Sequence, residues 1–299
     1  MRSVQPLTTS VRAALWFTLL IVALAAPAGT MPWPGKKQSR PVLVAQISDT
    51  HLGLRRSAKT NEPIDTPAQL SRVVELVNQR HADAVIVSGD IGETPAAWQQ
   101  AREILARLKA PVFYLPGNHD ENGHNLSRYR EAFGRDYYKF RVGDVEFFAL
   151  DSQLLGNFEN FSANPLPPMT QEAETASAEM LSWLEREAGA KAGKDVRVRI
   201  AVQHVPFARG PAGQDLAPDP KPYWSVPEPY RSREIELLRR LGVHHVLEGH
   251  WHSQLLFEAD GFAHHIAPAT SWATRGPLGF ALHTISADGA VETEFVPLQ

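Results

Sequence analysis

Five short groups of polar residues in this chain have the types and order of ligands in a hydrolytic metal centre. In chain order they are Asp49-Thr50-His51, Gly89-Asp90, Gly117-Asn118-His119-Asp120, Gln203-His204 and Gly249-His250-Trp251-His252. Carboxylate and amide oxygens bind hard cations, and imidazole nitrogens bind borderline ones. Because the chain contains no cysteine, thiolate metal sites and disulfides are excluded. The set suits iron, manganese or zinc in a hydrolytic role, and residue types alone do not choose among them.

Each group has an ordinary structural explanation when it is taken alone. Asp49 could cap a turn, Gly89-Asp90 is a common turn sequence, and a single histidine such as His204 is uninformative. The group at 117–120 is stronger, because consecutive polar side chains after a buried strand have no packing role. What favours a site is the coincidence of all five groups with strand ends.

The elements that must position these groups alternate between apolar strands and amphipathic helices. Residues 41–48, 84–88 and 111–115 predict buried strands, and each runs into one of the first three groups. One helix is predicted from Thr66, as N-cap with Gln69 completing a capping box, and a second from Thr94 to about Lys109. Since the carboxyl ends of parallel strands form the binding edge of open α/β sheets, the groups should meet there.

The second half of the chain continues this pattern with more antiparallel character. Residues 137–142 and 145–150 flank Gly143-Asp144 and predict a hairpin. Later helices are predicted at about 171–189 and 230–241, strands at 196–203 and 243–247, and two or three short strands at the end.

Two loops rich in proline and glycine interrupt the second half. They cover residues 157–169 and 206–229 and are expected to lie over the active edge. Tyr223 and Trp224 in the second loop are expected to contact the leaving group of the substrate.

Composition describes an ordinary globular protein. The 299 residues are 43% hydrophobic and 21% charged, enough for one large α/β domain, which we assign to residues 41–299. The formal net charge is −3 and no block of lysine or arginine stands out, so nucleic acid is not an expected partner.

The N-terminal segment has the pattern of a signal peptide. Arg2 and Arg12 precede an uncharged apolar stretch at 13–26, and Ala26-Pro27-Ala28 matches a cleavage site. We predict a signal peptide at 1–28, a linker at 29–40, and export to the periplasm or the medium. The alternative is a retained N-terminal membrane anchor, although the stretch is short for a bilayer span and prolines follow it.

The order of the five groups resembles that of the calcineurin-like metallophosphoesterases, from Arg40 onward. The resemblance implies an α/β fold in which a two-sheet β-sandwich is flanked by helices, with the active site at the carboxyl ends of strands. It implies one metal ion held by Asp49, His51, Asp90 and His252, and a second held by Asn118, His204 and His250, with Asp90 bridging both. It also implies His119 as general acid and Asp120 as the group that orients it.

These expectations describe a metal-dependent phosphoester hydrolase with two divalent or trivalent ions (manganese, iron or zinc). Two cations about 3.5–4 Å apart can activate a bound water as nucleophile and compensate charge on the phosphoryl oxygens. An imidazole can protonate the leaving oxygen near neutral pH. The expected substrate is a phosphomonoester, on a small molecule or a phosphoprotein, and the oligomeric state stays open.

Departures from family patterns narrow this prediction. Ile91 follows Asp90 where purple acid phosphatases carry tyrosine, so an iron(III)-tyrosinate centre is not expected. Gln203-His204-Val205-Pro206 replaces the His-His-Pro block of many cyclic-nucleotide phosphodiesterases. Residues 133–138 and 151–153 resemble a subgroup that includes a phosphoserine/threonine protein phosphatase. Two alternatives stay open: a cyclic-nucleotide or other phosphodiesterase, and a catalytically inactive metal-binding scaffold.

Overall fold

The computed structural model describes residues 40–121, 126–156 and 165–298. Its eleven strands are, in chain order, β1 (Val42–Ile47), β2 (Ala84–Ser88), β3 (Val112–Leu115), β4 (Tyr138–Val142), β5 (Val145–Ala149), β6 (Val198–Val202), β7 (His245–Glu248), β8 (Leu255–Ala259), β9 (Phe262–Ile266), β10 (Gly279–Ile285) and β11 (Val291–Pro297). Its five α-helices are α1 (Thr66–Arg80), α2 (Pro95–Leu105), α3 (Leu126–Phe133), α4 (Gln171–Gly189) and α5 (Tyr230–Leu241). The predicted signal peptide lies outside the described residues, as does nearly all of the linker, and both stay predictions.

The strands form two mixed sheets. The first has the order β11-β10-β1-β2-β3, in which β1, β2 and β3 are parallel. The second has the order β4-β5-β6-β7-β9-β8, in which β5, β6, β7 and β9 are parallel and the two edge strands are antiparallel to their neighbours. The carboxyl ends of β1, β2, β6 and β7 thus lead into four of the five polar groups, and β3 leads into the fifth. This confirms the predicted α/β fold with a two-sheet sandwich flanked by helices.

Three apolar layers hold the sandwich together. Between the sheets, alternate strand residues such as Val44, Ile86 and Phe147 pack into one buried cluster. The opposite face of the first sheet packs against α1 and α2, and that of the second against α4 and α5. With both faces covered, the central strands read as near-continuous apolar runs, which is why the sequence predicts them.

Some predicted details differ from the structure. The N-cap of α1 is Asp65, whose Oδ1 accepts a hydrogen bond from Ala68 N at 3.0 Å, so Thr66 is already helical. Gln69 does not close a capping box but donates to the carbonyl of Ser271 at 3.2 Å. Thr94 caps α2 as predicted. The helix ends at Leu105 rather than near Lys109, because the following turn has hydrogen bonds from residue i to residue i−3, as in a 3₁₀-helix.

The end of the chain carries more strand than predicted. Four strands, β8 to β11, replace the expected two or three, and β10 pairs with β1 inside the first sheet. None of the helices in the described part of the chain is both long and apolar enough to cross a bilayer. Of the two predicted covering loops, residues 157–164 lie outside the described residues.

Candidate metal centre

Five of the seven predicted metal ligands have backbone angles in the left-handed region. They are Asp49 (φ 55°), His51 (φ 44°), Asp90 (φ 52°), His250 (φ 64°) and His252 (φ 49°). Residues other than glycine adopt positive φ in only a few per cent of cases, and each instance costs about 1–3 kcal/mol. The strand ends are therefore held in an unfavourable conformation that turns each side chain into the site.

Hydrogen bonds between neighbouring strand ends hold these conformations. Asp49 N donates to Gly89 O at 3.1 Å, and His51 N donates to Asp90 O at 2.8 Å. Gly89 itself has φ +93°, and a Cβ there would lie 2.5 Å from His204 Nδ1. Only glycine fits there, so the Gly-Asp group is needed for backbone reasons as well as for its carboxylate.

The first donor set contains Asp49, His51, Asp90 and His252, all buried, with donor atoms within 4.8 Å of one another. His252 Nε2 lies 3.1 Å from Asp49 Oδ1, and His51 Nε2 lies 3.4 Å from Asp90 Oδ2. This set is the one that the resemblance implies for the first metal ion.

The second donor set contains Asp90, His204 and His250 within the same limit. His204 Nε2 lies 3.3 Å from Asp90 Oδ2, the oxygen that also faces His51. Asn118 is buried and lines the same cavity, and its Oδ1 has no hydrogen-bond partner among the described residues. The structure thus brings together all seven predicted ligands, with Asp90 between the two sets.

The second nitrogen of each ligand histidine is already hydrogen-bonded. These contacts are His51 Nδ1 to Glu93 Oε1 (2.7 Å), His204 Nδ1 to Ser88 O (2.8 Å), His250 Nε2 to Tyr223 O (2.9 Å) and His252 Nδ1 to Trp272 O (2.7 Å). Such contacts fix the tautomer and the orientation of a metal-ligating ring. They assign Nε2 of His51, His204 and His252, and Nδ1 of His250, as the metal-facing atoms.

Buried atoms without partners show that this donor set fits cations. Asp49 Oδ1, Asn118 Oδ1 and His204 Nε2 are buried without a hydrogen bond among the described residues. Each such atom costs about 1–3 kcal/mol unless something satisfies it. The donors are oxygens and imidazole nitrogens, which manganese, iron and zinc accept.

The electrostatics keep the carboxylates ionised. Burial opposes the charge of Asp90, but His204, His119 and His51 outweigh it and hold the pKa of Asp90 well below its usual range. Burial also lowers the pKa of His250 to about 3, so this ring is neutral, as a ligand must be. Burial opposes protonation of His204 too, but Asp90 and Asp49 raise the pKa of His204 to about 9, so metal binding there must displace a proton.

A family profile decides the identity of the chain. The profile of the calcineurin-like phosphoesterases matches residues 42–254, which contain every predicted site residue. The chain belongs to the calcineurin-like phosphoesterase family. It is therefore a hydrolase of phosphoric ester bonds, and the family together with the two donor sets implies a dinuclear metal centre.

Individual relatives of this phosphoesterase carry different names. A probable cyclic nucleotide phosphodiesterase of Fibrobacter succinogenes is 24% identical over 237 residues, covering 76% of this chain and 79% of the relative. The mouse serine/threonine-protein phosphatase CPPED1 is 25% identical over 234 residues, covering 71% and 70%. A solved dimetal phosphatase from Danio rerio shares the fold with a TM-score of 0.59 at 13% identity, covering 87% of this chain and all of that one.

Glu93 is a site residue of this phosphoesterase that the sequence reasoning missed. Its Oε2 lies 3.0 Å from His119 Nδ1, while its Oε1 lies 2.7 Å from His51 Nδ1. One carboxylate thus connects a metal ligand with the predicted general acid. The available signal was its position three residues after Asp90, on the loop that leads into α2.

Asp120 makes other contacts than the one expected. Its carboxylate accepts hydrogen bonds from the backbone of Ile91, Gly92 and Gly117 at 2.9–3.2 Å and from Trp98 Nε1 at 3.1 Å. Glu93, and not Asp120, accepts the hydrogen bond from His119 Nδ1. Asp120 therefore fixes the loops that carry Asp90 and Asn118, which corrects the orienting role that the resemblance implies for it.

The cavity above the donor sets has aromatic walls. It encloses about 250 Å³, and its lining includes Leu54, Ala58, Tyr223, Trp224 and Trp272. Trp224 lies 4.9 Å from the ring of His250, and Trp272 lies 3.9 Å from the ring of His252. Tyr223 and Trp224 line this cavity, and their contact with the leaving group stays a prediction, whereas Trp272 had no signal in the sequence.

Proposed function

We propose that this chain is a phosphomonoesterase with a binuclear centre at the seven ligands. The observation that carries the proposal is Asp90 Oδ2, which lies 3.4 Å from His51 Nε2 and 3.3 Å from His204 Nε2. A bridging carboxylate between two metal ions requires such a shared position. Two bound cations would supply Lewis-acid chemistry, activating water and neutralising charge on the phosphoryl oxygens.

His119 is positioned to act as the general acid. Its backbone N–H donates to Asp90 Oδ1 at 2.8 Å, and its Nδ1 is hydrogen-bonded to Glu93. With Nδ1 engaged, Nε2 is the nitrogen that transfers a proton to the leaving oxygen. Burial disfavours the charged ring, but Asp90 and Glu93 outweigh it and raise the pKa of His119 to about 9. Cations at Asp90 would offset part of that field and bring the pKa towards neutrality.

The walls of the cavity favour a small ester with an apolar or aromatic remainder. The residues that line it include three aromatic side chains, and no lysine or arginine is among those that the structure describes there. The charge of the phosphoryl group would therefore be met by the metal centre and His119, while the rest of the substrate meets apolar surface. The name of the mouse relative, a serine/threonine-protein phosphatase, supports monoester chemistry.

A phosphodiesterase is the second candidate. The aromatic walls flank both donor sets, since Trp224 contacts His250 and Trp272 contacts His252. A diester could thus place one substituent against each wall. The name of the Fibrobacter relative, a probable cyclic nucleotide phosphodiesterase, agrees with this candidate.

Metal analysis followed by a substrate panel tests these assignments. The purified chain should hold two metal ions, and it should hydrolyse 4-nitrophenyl phosphate with kcat/KM at least about tenfold above that for bis(4-nitrophenyl) phosphate and cyclic AMP. A phosphoserine peptide belongs in the panel. The Asp90→Asn variant, purified in the same way, reports any contaminating phosphatase.

The outcomes separate the candidates. Faster hydrolysis of diesters would replace the first candidate by the second. Two bound metal ions without turnover of any substrate would indicate a catalytically inactive scaffold. A chain that binds no metal would contradict the binuclear centre altogether.

A further inference from the structure

Trp251, between the candidate ligands His250 and His252, holds the loop that forms one wall of the cavity. It is fully buried, and among the residues that the structure describes it does not line the cavity itself. Its indole Nε1 donates a hydrogen bond to the backbone oxygen of Trp224 at 2.7 Å. The preceding ligand, His250, contacts the preceding carbonyl, from Nε2 to Tyr223 O at 2.9 Å. Two successive residues after β7 thus bind two successive carbonyls of the wall.

Apolar packing adds to these hydrogen bonds. A small buried cluster, distinct from the three layers of the sandwich, joins two residues of the loop at 206–229 to two residues that follow β7 and end β9. Its members are Ala217, Trp224, Trp251 and Ile266. The ring of Trp251 also stacks with Phe257 on β8, with the ring centroids 6.0 Å apart. Satellite clusters of this kind lie under long loops, and this one fastens the loop to the metal-binding edge.

The loop at 206–229 has many hydrogen bonds of its own. Val226 N donates to Pro206 O at 2.9 Å and closes its two ends, and Arg209 donates to two more of its carbonyls at 2.7 and 3.1 Å. Because such a loop keeps its shape, its position depends on the contacts that dock it. Arg275 docks it through another carbonyl at 2.7 Å but is exposed. The hydrogen bond of Trp251 is buried and lies at the wall.

We propose that Trp251 is a specificity-determining residue that positions the aromatic wall of Tyr223 and Trp224. Since it does not line the cavity, its influence on the substrate passes through that wall. The substrates it selects are esters whose aromatic remainder reaches the wall, whereas the phosphoryl group is bound by the metal centre. The inference rests on the proposed function in one respect, which is that the leaving group of the substrate meets this wall.

Binding of two phosphonates tests this role without any turnover. In benzylphosphonate and 1-naphthylmethylphosphonate a methylene replaces the ester oxygen, so neither can be hydrolysed, and only the size of the aromatic group differs. Calorimetry on the metal-loaded enzyme gives the ratio of the two dissociation constants. Trp251→Phe keeps an aromatic ring but loses the N–H donor. It should weaken binding of the naphthyl compound relative to the benzyl compound by about two- to tenfold, the usual contribution of one hydrogen bond.

Metal content and a matched substitution are the controls. Metal content per chain in Trp251→Phe should stay that of the wild type, because the metal-binding side chains are all kept. Trp183→Phe makes the same substitution at a partly buried tryptophan on α4. It should leave the ratio of dissociation constants at the wild-type value.

A double-mutant cycle separates positioning of the wall from a general loss of stability. In the Tyr223→Ala/Trp224→Ala background the wall is already removed, so adding Trp251→Phe should not change the ratio further. Effects that add in this background would overturn the proposal, because Trp251 would then act by another route. An unchanged ratio in Trp251→Phe alone would overturn it as well.

A measurement on the wild type does not depend on any variant folding. The buried hydrogen bond to Trp224 O should protect the indole proton of Trp251 from exchange with solvent, as NMR of the metal-loaded enzyme would show. Rapid exchange would overturn the proposal. An enzyme that binds both phosphonates but hydrolyses no monoester would contradict the proposed function and leave the role of Trp251 standing. A wild type that binds neither phosphonate at millimolar concentration would overturn both.

Discussion

Two regions of this phosphoesterase are rich in histidine, and they use it in opposite ways. At the candidate metal centre the histidines lie on loops that follow strands, beside Asp49 and Asp90. Three of the four, His51, His250 and His252, follow β1 or β7 and have a positive φ, which is a strained conformation for a residue other than glycine. Between the sheets, His245, His265 and His283 sit within β7, β9 and β10.

The histidines between the sheets are satisfied by neutral partners. His265 Nδ1 and His283 Nδ1 both contact Thr293 Oγ1, at 2.7 and 2.8 Å, and His283 Nε2 contacts Gln46 Oε1 at 3.0 Å. Burial lowers the pKa of His265 to about 3 and that of His283 well below its usual range. These rings are neutral and join the two sheets, so a buried histidine indicates a metal ligand only when carboxylates and strand-end geometry accompany it.

The largest expected effect is at the shared carboxylate. Asp90→Asn should remove metal from both donor sets and lower kcat/KM by several orders of magnitude, because Asp90 Oδ2 faces both His51 and His204. Asp49→Asn should weaken mainly the first set. Metal content per chain and turnover of 4-nitrophenyl phosphate measure both effects. Equal and mild losses in the two variants would argue against a bridging Asp90.

His119→Ala separates proton delivery from metal binding. Metal content should stay near normal, while turnover falls by about 10²–10⁴-fold on substrates with poor leaving groups. The deficit should shrink for nitrophenolate, which leaves readily as an anion, so the slope of log rate against leaving-group pKa should steepen. A variant that loses metal, or loses activity equally on good and poor leaving groups, would make His119 a ligand or a positioning residue.

Glu93→Gln should lower activity less than the two preceding variants, because it should weaken both metal binding through His51 and proton delivery through His119. Glu93 holds His51 and His119 at once, and removing such an outer carboxylate costs about 10–100-fold in metal affinity or activity. The pKa of His119 should fall, because Glu93 helps to raise it, and the alkaline limit of the rate profile should move to lower pH. Glu62→Gln, at an exposed glutamate, is the control. An unchanged pH profile would show that Glu93 does not act through His119.

The sequence was sufficient to predict that the seven candidate ligands come together, because each follows a strand that its apolar run predicts. Asp49, Asp90 and Asn118 follow β1, β2 and β3, and the parallel order of these strands brings them to one edge. Glu93 and Trp272 were not predictable, because their contacts depend on how loops pack across the edge rather than on strand order.

The contacts of the histidines between the sheets could not be predicted from the sequence either. His265 and His283 look like the ligand histidines until the pairing of β10 with β11 sets His283 opposite Thr293, and the packing of the two sheets brings His265 to the same hydroxyl. The contact of His265 with Thr293 joins two different sheets, and local sequence patterns carry no information about which residues meet across them. The metal centre and the inter-sheet network therefore differ in topology more than in residue type.

Tyr223 and Trp224 should affect selectivity more than rate. Both line the cavity, and their rings lie 5.8 and 4.9 Å from His250. Replacing both by alanine should change relative kcat/KM among substrates much more than the rate on a minimal aryl phosphate. Trp272→Ala provides the comparison at the opposite wall. A uniform loss across the panel would show that the two residues only support the fold.

The smallest effect on activity is expected from His265→Gln, which should change stability without removing metal. At pH 7 the loss of its buried hydrogen bonds should cost about 1–3 kcal/mol of unfolding free energy.

The pKa of His265 is about 3 in the folded protein and about 6.5 when unfolded, so the unfolded chain binds the additional proton between these values. Wild-type stability therefore falls as pH drops from about 6.5 towards 3, by up to about 1.4 kcal/mol per pH unit from this group. The variant lacks this contribution, so the difference in stability should narrow as pH falls, as urea unfolding from pH 7 to 5 would reveal. His244→Gln, at an exposed histidine, should follow the wild type. Loss of catalytic metal from His265→Gln, or a difference in stability that does not vary with pH, would contradict the separation of the two histidine regions.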